Sequence, residues 1–228
     1  MSILGSTAVI FDLDGTLVDS EPNYFEASRR TLGAHGVTGF GWTDHERSVG
    51  ISTRDTVASW REQYALTTPV ETLLATKNRH YLELARAATR VYPEMRKFVE
   101  LLAAEGAPMA VASGSSREAI EVILDGTGLA AHLRTVVSAE EVAHGKPAPD
   151  VFLEAARRLG AAPADCVVLE DAVPGAVAAH AAGMRCVAIP YLATQADDPG
   201  FATAGLLVRG GQDAFTAREA YDWIVASG

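Results

Sequence analysis

A run of four apolar residues, Ala8-Val9-Ile10-Phe11, leads without interruption into Asp12-Leu13-Asp14-Gly15-Thr16-Leu17-Val18-Asp19-Ser20. No polar residue alternates with the apolar ones, so the run reads as a strand buried on both faces, the kind found inside a parallel sheet. Asp12 and Asp14 stand two apart where that strand ends. In extended geometry both carboxylates leave the same side, and Gly15 permits a sharp exit. Two carboxylates this close repel unless a cation lies between them or one holds a proton. Asp-x-Asp-Gly alone is equally compatible with a surface turn. An apolar strand leading into it argues instead that the acids stand in a crevice at the sheet's edge. An EF-hand calcium loop is excluded by spacing, because that loop needs Gly at its sixth position and Glu at its twelfth.

The rest of the chain divides by its periodicity. After Ser20, read as a helix cap with Pro22 in the first turn, three helical stretches follow: one ending at Gly33 or Gly36, then Arg54 to Tyr64 and Val70 to Ala87. No strand is expected between Ser20 and Val91, so residues 20–90 form an all-helical unit of their own. From Val91 helices and strands alternate. Helices are expected over Met95–Glu105, Ser116–Asp125 (stopped by Gly126 and Gly128), Pro149–Gly160, Pro174–Ala182 and Ala214–Ala226. Strands are expected over Pro108–Ser113, Arg134–Ser138, Cys166–Leu169, Arg185–Ile189 and, more weakly, Gly205–Val208. The fold class is therefore α/β: a Rossmann-like, doubly wound parallel sheet built from residues 1–19 and 91–228, with the helical unit inserted.

Composition narrows the partners. A chain of 228 residues buries roughly 70% of its unfolded surface, enough for a sizeable core with a smaller companion. Its net charge is -10 and it has no basic run, which argues against nucleic acid or an anionic membrane and for a small ligand. Cys166 and Cys186 fit no metal or redox spacing and read as buried thiols in a reducing compartment. Met1-Ser2-Ile3-Leu4-Gly5-Ser6 lacks a charged leader, and no run approaches a membrane span. A cytoplasmic protein is expected, with a monomer as the default assembly.

In a doubly wound sheet function gathers at the carboxyl ends of the strands. Those ends carry Asp12 and Asp14, then Ser113-Gly114-Ser115, then Glu170-Asp171, with Gly145-Lys146-Pro147 in the loop after the short strand. Carboxylates from Asp12 and Asp171, with a backbone carbonyl and water, suit Mg²⁺, a hard cation that wants octahedral oxygen. A lysine and a hydroxyl beside such a metal suit a phosphoryl group, whose charge must be met on several sides. Taken singly each residue has a plainer reading. Ser113 caps the next helix, Lys146 is a solvated lysine, and Glu170-Asp171 is a loop acid pair. Lys is used only three times in this chain against sixteen for Arg, which favours a role for Lys146 that needs a compact charge. The joint occurrence in order is far more specific than any member. The six histidines show no ligand spacing.

Asp-Leu-Asp-Gly-Thr-Leu-Val-Asp-Ser, the strand ending Val-Ala-Ser-Gly-Ser, the Gly-Lys-Pro-Ala-Pro-Asp loop and Leu-Glu-Asp-Ala-Val-Pro-Gly together resemble the four motifs of the haloacid dehalogenase superfamily. The resemblance covers essentially the whole chain and includes a helical cap inserted after the first motif, as in the phosphatase and β-phosphoglucomutase branch. It implies that Asp12 attacks phosphorus to form an aspartyl-phosphate, and that Asp14 protonates the leaving oxygen and later activates the incoming nucleophile. It further implies that Asp12, the Asp14 carbonyl and Asp171 hold Mg²⁺, with Glu170 a ligand or partner, and that Ser113, Gly114 and Lys146 grip the phosphoryl group.

Asp14 argues against the dehalogenases of this superfamily, which lack that acid, and against its phosphonate-cleaving branch. Bacterial receiver domains share the acids, hydroxyl and lysine, but they are about half as long and have no cap, so a non-enzymatic phospho-Asp switch is disfavoured. Two positions depart from β-phosphoglucomutase, where a cap histidine and a lysine after the second motif stand in place of Tyr24 and Ser116. Arg117 and Arg54 are the remaining candidates to meet a distal phosphate, Arg54 reading equally as a surface residue at a helix start. The expectation is Mg²⁺-dependent hydrolysis of a small phosphate ester, a sugar phosphate by preference, with a β-phosphoglucomutase-type mutase as the alternative.

Overall fold

The structure is a computed structural model that describes residues 7–49 and 51–227. The leader reading of Met1 to Ser6, and Gly50 before Arg54, lie outside the described residues. The chain begins with β1 (Ala8–Phe11) and β2 (Val18–Asp19), then runs through helices α1 (Glu21–Gly33), α2 (Trp42–Glu46), α3 (Thr53–Gln63) and α4 (Val70–Ala87). It continues with β3 (Arg90–Val91), α5 (Pro93–Ala104), β4 (Met109–Ser113), α6 (Arg117–Thr127), β5 (Thr135–Ser138) and α7 (Asp150–Leu159). It closes with β6 (Cys166–Glu170), α8 (Val173–Ala181), β7 (Arg185–Ala188), β8 (Leu206–Leu207) and α9 (Ala217–Ala226). Two compact units result: the described residues up to Asp19 with those from Arg90 onward, and Ser20–Thr89. No helix of the described residues is long and apolar enough to cross a membrane.

The first unit is built on a six-stranded sheet in the order β5-β4-β1-β6-β7-β8, every pairing parallel. β1, β4 and β6 are buried along their whole length, as a strand without polar alternation requires. The register sets Phe11 against Val111 of β4 and against Leu169 of β6. Asp12 and Glu170, the residues that follow Phe11 and Leu169, therefore stand at the same level at the end of the sheet. From β1 the chain winds outward through β4 to β5, then crosses back to β6 on the other side. The β1–β6 boundary is thus the point where winding reverses, which is where open α/β sheets form their ligand crevice.

Both faces are covered. On one, Ile10, Val168 and Cys186 pack with Val151 and Phe152 of α7 and with Ala176 and Ala179 of α8. On the other, Phe11 meets Phe98 of α5 edge-on at 6.0 Å between ring centroids, and Phe98 meets Phe215 in the same way at 6.0 Å. Each such ring contributes about 1.5–3 kcal/mol by burial.

Several local expectations change in the structure. β2 and β3 form an antiparallel two-residue ribbon, Val18 opposite Val91 and Asp19 opposite Arg90, which no sequence period could announce. Arg90 therefore belongs with the sheet-bearing unit and not with the helical one. Ser20 stands at the N-cap position of α1, but its hydroxyl is buried and makes no capping bond. α6 is capped by Ser116, whose Oγ accepts from Ala119 N at 3.3 Å, so Ser113 is not the cap. That helix runs through Gly126 and ends only at Gly128, whose φ of +76° suits a left-handed terminus. α9 starts three residues later than expected, where Thr216 Oγ1 accepts from Glu219 N at 3.2 Å.

The second unit contains no strand among its described residues. Leu32, Phe40, Val57, Trp60 and Leu73 form its core. α2 was not expected, because five residues are too few to display a helical period.

Candidate active site

The strand ends deliver four acids, and the loop after β5 one lysine, to one place in the sheet-bearing unit. Asp12, Ser113, Glu170 and Asp171 are all buried. Lys146 reaches in from the loop after β5 and donates to Asp12 Oδ1 and Glu170 Oε1, each at 2.5 Å. The other oxygen of Glu170 accepts from Asp171 N at 3.0 Å and from Ala172 N at 3.1 Å, at the start of α8. Both Glu170 oxygens are thus engaged. Room for this carboxylate depends on Gly175 in the first turn of α8, where a Cβ would stand 1.8 Å from Glu170 Oε1.

Asp171 is fixed from the opposite side. Its Oδ1 accepts from Thr16 Oγ1 at 3.2 Å. Gly15 passes directly beneath it with φ at +80°, and a Cβ there would lie 2.3 Å from Asp171 Oδ2. Glycine is needed at that position for both reasons.

Asp14 meets the end of β4. Ser115 Oγ donates to Asp14 Oδ2 at 2.6 Å, whereas Ser113 Oγ reaches the same oxygen only at 3.4 Å and also accepts from Ser115 N at 3.0 Å. Ser115 is therefore the closer partner, and neither it nor Thr16 had been singled out from sequence; both lie within two residues of a recognised motif residue. Gly114 is exposed, and nothing lies within 4 Å of where its Cβ would be.

The remaining candidates have other partners. Ser116 spends its hydroxyl on the α6 cap. Arg117 donates to Glu121 at 2.6 Å, to Val136 O at 3.1 Å and to Glu141 at 3.3 Å, all within the sheet-bearing unit. In the helical unit, Arg54 grips both oxygens of Glu71, at 2.5 and 3.0 Å, and both residues are exposed. Tyr24 stacks on Tyr81 with centroids 4.0 Å apart. Sequence reading missed Lys77, which is buried in that unit with its ammonium 5.1 Å from the Tyr24 ring centroid and 5.6 Å from that of Trp60. Burial lowers its pKa to about 8, with Glu21 pulling the other way.

The electrostatics of the acid cluster are unbalanced. Burial, opposed by Lys146 and reinforced by Glu170 and Asp14, holds the Asp12 carboxyl well above the usual carboxylate range. Burial alone would depress Lys146, but attraction to Asp12 and then Glu170 outweighs it, so the ammonium stays charged. The cluster holds four acids, Asp12, Asp14, Glu170 and Asp171, and one lysine, which pairs with Asp12 and Glu170. Carboxylate oxygens of Asp12, Glu170 and Asp171 lie within 4.8 Å of one another, a compact set of hard oxygen donors able to hold a metal ion. Glu170 has the least capacity left for one, since its oxygens already serve Lys146 and the α8 amides.

The model of the haloacid dehalogenase-like hydrolases matches residues 7–183. Over 191 residues the chain is 36% identical to the fructose-1-phosphate phosphatase YqaB of Escherichia coli (strain K12), covering 81% of this chain and 96% of that protein. Over 196 residues it is 35% identical to the bifunctional riboflavin kinase/FMN phosphatase of Arabidopsis thaliana, covering 83% of this chain and 50% of that protein, so it spans half of that relative's length. A crystal structure of CbbY from Rhodobacter sphaeroides in complex with phosphate shares the fold, with a TM-score of 0.77 and 25% identity over 91% of this chain and 97% of that one. The chain belongs to the haloacid dehalogenase-like hydrolase family.

Proposed function

We propose that this protein is a Mg²⁺-dependent phosphatase that hydrolyses a small phosphorylated metabolite, with sugar phosphates as the expected class. The observation that carries the reading is the largely buried contact of Lys146 with Asp12, flanked by Asp14 and Asp171 at the ends of adjacent strands. A cation and a carboxylate so placed prepare an anionic substrate's entry next to a nucleophile that repulsion would otherwise keep from it. Support for the substrate class comes from the similarity to a fructose-1-phosphate phosphatase.

In this mechanism Asp12 attacks phosphorus, the ester P–O bond breaks, and an aspartyl-phosphate forms. Asp14 gives its proton to the leaving oxygen and then takes one from the attacking water, which releases phosphate and restores Asp12. Ser115 orients Asp14 through their 2.6 Å hydrogen bond. Ser113, the Gly114 backbone and Lys146 bind the phosphoryl oxygens, and Glu170 holds Lys146 in line. Asp12, Asp171 and the Asp14 carbonyl would hold Mg²⁺, which when bound offsets the charge of the phosphoryl oxygens against the carboxylates. Substrate selection falls to the helical unit, residues 20–89, as a cap.

The test is phosphate release from a panel of phosphate esters that includes fructose 1-phosphate and β-glucose 1-phosphate, with Mg²⁺ and with chelator. Release that needs Mg²⁺ and disappears in Asp12→Asn, with the fold intact, is expected. Conversion of β-glucose 1-phosphate to glucose 6-phosphate without net release would replace hydrolysis by mutase chemistry, and near-wild-type release by Asp12→Asn would overturn the nucleophile.

A further inference from the structure

A glutamine near the end of the chain holds the loop that carries Asp14. Gln212 lies in a single turn, Gly211–Asp213, between β8 and α9. Its Nε2 donates to the main-chain oxygens of Gly15 at 3.0 Å and Thr16 at 2.9 Å, 197 and 196 residues earlier. Gly15 and Thr16 are buried, so their carbonyls need hydrogen-bond partners. Among the described residues, the loop's main-chain bonds outside helices and strands do not serve those two groups. Gly15 N donates to Val18 O at 2.9 Å, while Leu17 N and Val18 N both donate to Leu13 O, at 3.0 and 3.1 Å.

The turn is itself placed firmly. Gly211 has φ at +62°, and a Cβ there would lie 2.6 Å from Pro190 O, so the turn rests directly on the chain after β7. One residue further along, Tyr191 N donates to Asp171 O at 3.2 Å. The support of Gln212 and the support of Asp171 are therefore the same stretch of backbone.

Gln212 Oε1 is buried and accepts no hydrogen bond among the described residues. A side chain chosen for packing alone would not carry a buried acceptor without a partner, since a Met or Leu of similar volume avoids it. What glutamine offers, and they do not, is a pair of N–H donors at fixed separation.

We infer that Gln212 is a positioning residue: its amide fixes the Gly15 and Thr16 carbonyls, and through them Asp14 and the Thr16 hydroxyl that holds Asp171. The effect on rate rests on the phosphatase reading; the effect on the loop rests on the two hydrogen bonds alone.

Gln212→Met and, should that variant fold poorly, Gln212→Leu remove the donors while keeping volume. On the Mg²⁺-loaded full chain kcat and KM for phosphate release are measured, and on it and on the chelator-treated chain the amide hydrogen exchange of residues 13–18 and the melting temperature. The variant should lose about tenfold in kcat, the lower end for a group that supports a ligating or reacting side chain. KM should stay within about twofold, and the loop amides should exchange faster. A lowered melting temperature with kcat and loop exchange unchanged would make Gln212 merely structural and overturn the inference. Wild-type protein that releases no phosphate from any ester, with loop exchange still faster in the variant, would sink the phosphatase reading and leave the positioning role standing.

Discussion

Lys146 Nζ lies 2.5 Å from Asp12 Oδ1, across 134 residues of chain, and the same nitrogen lies 2.5 Å from Glu170 Oε1. One ammonium therefore ties the carboxylate that ends β1 to the carboxylate that ends β6, at the strand pair where the winding of the sheet reverses. Removing a single member of a buried ion pair leaves the other charge uncompensated, at about 3–5 kcal/mol. Lys146→Met should lower unfolding stability in urea by about 3 kcal/mol without metal. Added Mg²⁺ should restore part of that loss, since a cation held by Asp12 and Asp171 replaces some of the missing charge. Phosphate release should fall on the order of 10²-fold, as for loss of one donor aimed at developing charge. A stability change below about 1 kcal/mol would show that Asp12 and Glu170 do not depend on the lysine.

Two glycines in helices should respond to alanine with opposite signs. At Gly175 a Cβ would stand 1.8 Å from Glu170 Oε1, so Gly175→Ala must push aside the carboxylate that holds Lys146. A stability loss of about 1–3 kcal/mol and a clear fall in activity are expected. At Gly126, within α6, nothing lies within 4 Å of the added carbon. Gly126→Ala should stabilise by about 0.5–1 kcal/mol through helix propensity, with activity unchanged. Matched denaturation curves decide it, and equal effects at the two sites would refute the steric account of Gly175.

Most of the sheet was legible because its strands are buried on both faces, which forces the unbroken apolar runs at Ala8–Phe11, Met109–Ala112 and Cys166–Leu169. The acids could be read for a related reason: a polar residue that ends such a run must face a crevice or cost the fold; Lys146 was legible instead through the scarcity of lysine in the chain. What stayed hidden depends on register and on distant neighbours. Ser113 and Ser115 are indistinguishable in sequence, yet β4's exit aims Ser115 at Asp14 at 2.6 Å and leaves Ser113 at 3.4 Å. The engagement of Glu170 with Lys146 follows from Phe11 lying opposite Leu169, a pairing that a sequence does not display. Lys77 looks like any helical lysine until the rings of Tyr24 and Trp60, from other helices, close over it. The β2–β3 ribbon, at two residues a strand, is shorter than any period that could reveal it.

Cys166 and Cys186 are free and buried. Burial pushes the Cys166 thiol up to about 11, with Asp165 adding to the effect, and raises Cys186 further still. The thiolate is the reacting form, so both groups should be nearly inert to iodoacetamide at pH 8 in the native protein. In urea both should react at the rate of an unfolded cysteine. Rapid modification of either thiol before unfolding would mean that its strand opens readily, contrary to its place in the central sheet.

The pH response of the helical unit should be governed in part by Lys77. Burial lowers its pKa from 10.5 to about 8, against the attraction of Glu21. Between those values the unfolded chain binds the proton that the folded chain has released. More protons on the unfolded state mean that stability rises with pH across that window, and that the penalty on the charged form is felt in full below about 8. The shift corresponds to roughly 3 kcal/mol, and the contacts with the faces of Tyr24 and Trp60 return part of it. Lys77→Met keeps the apolar stem and removes the charge. The variant should exceed wild type in stability by about 2 kcal/mol at pH 7, and its advantage should shrink towards pH 10. Urea unfolding of both proteins at intervals from pH 7 to 10, with each curve referred to its own pH 7 value, measures this directly. Parallel curves would mean that Lys77 keeps an ordinary pKa and that its ammonium reaches water in solution.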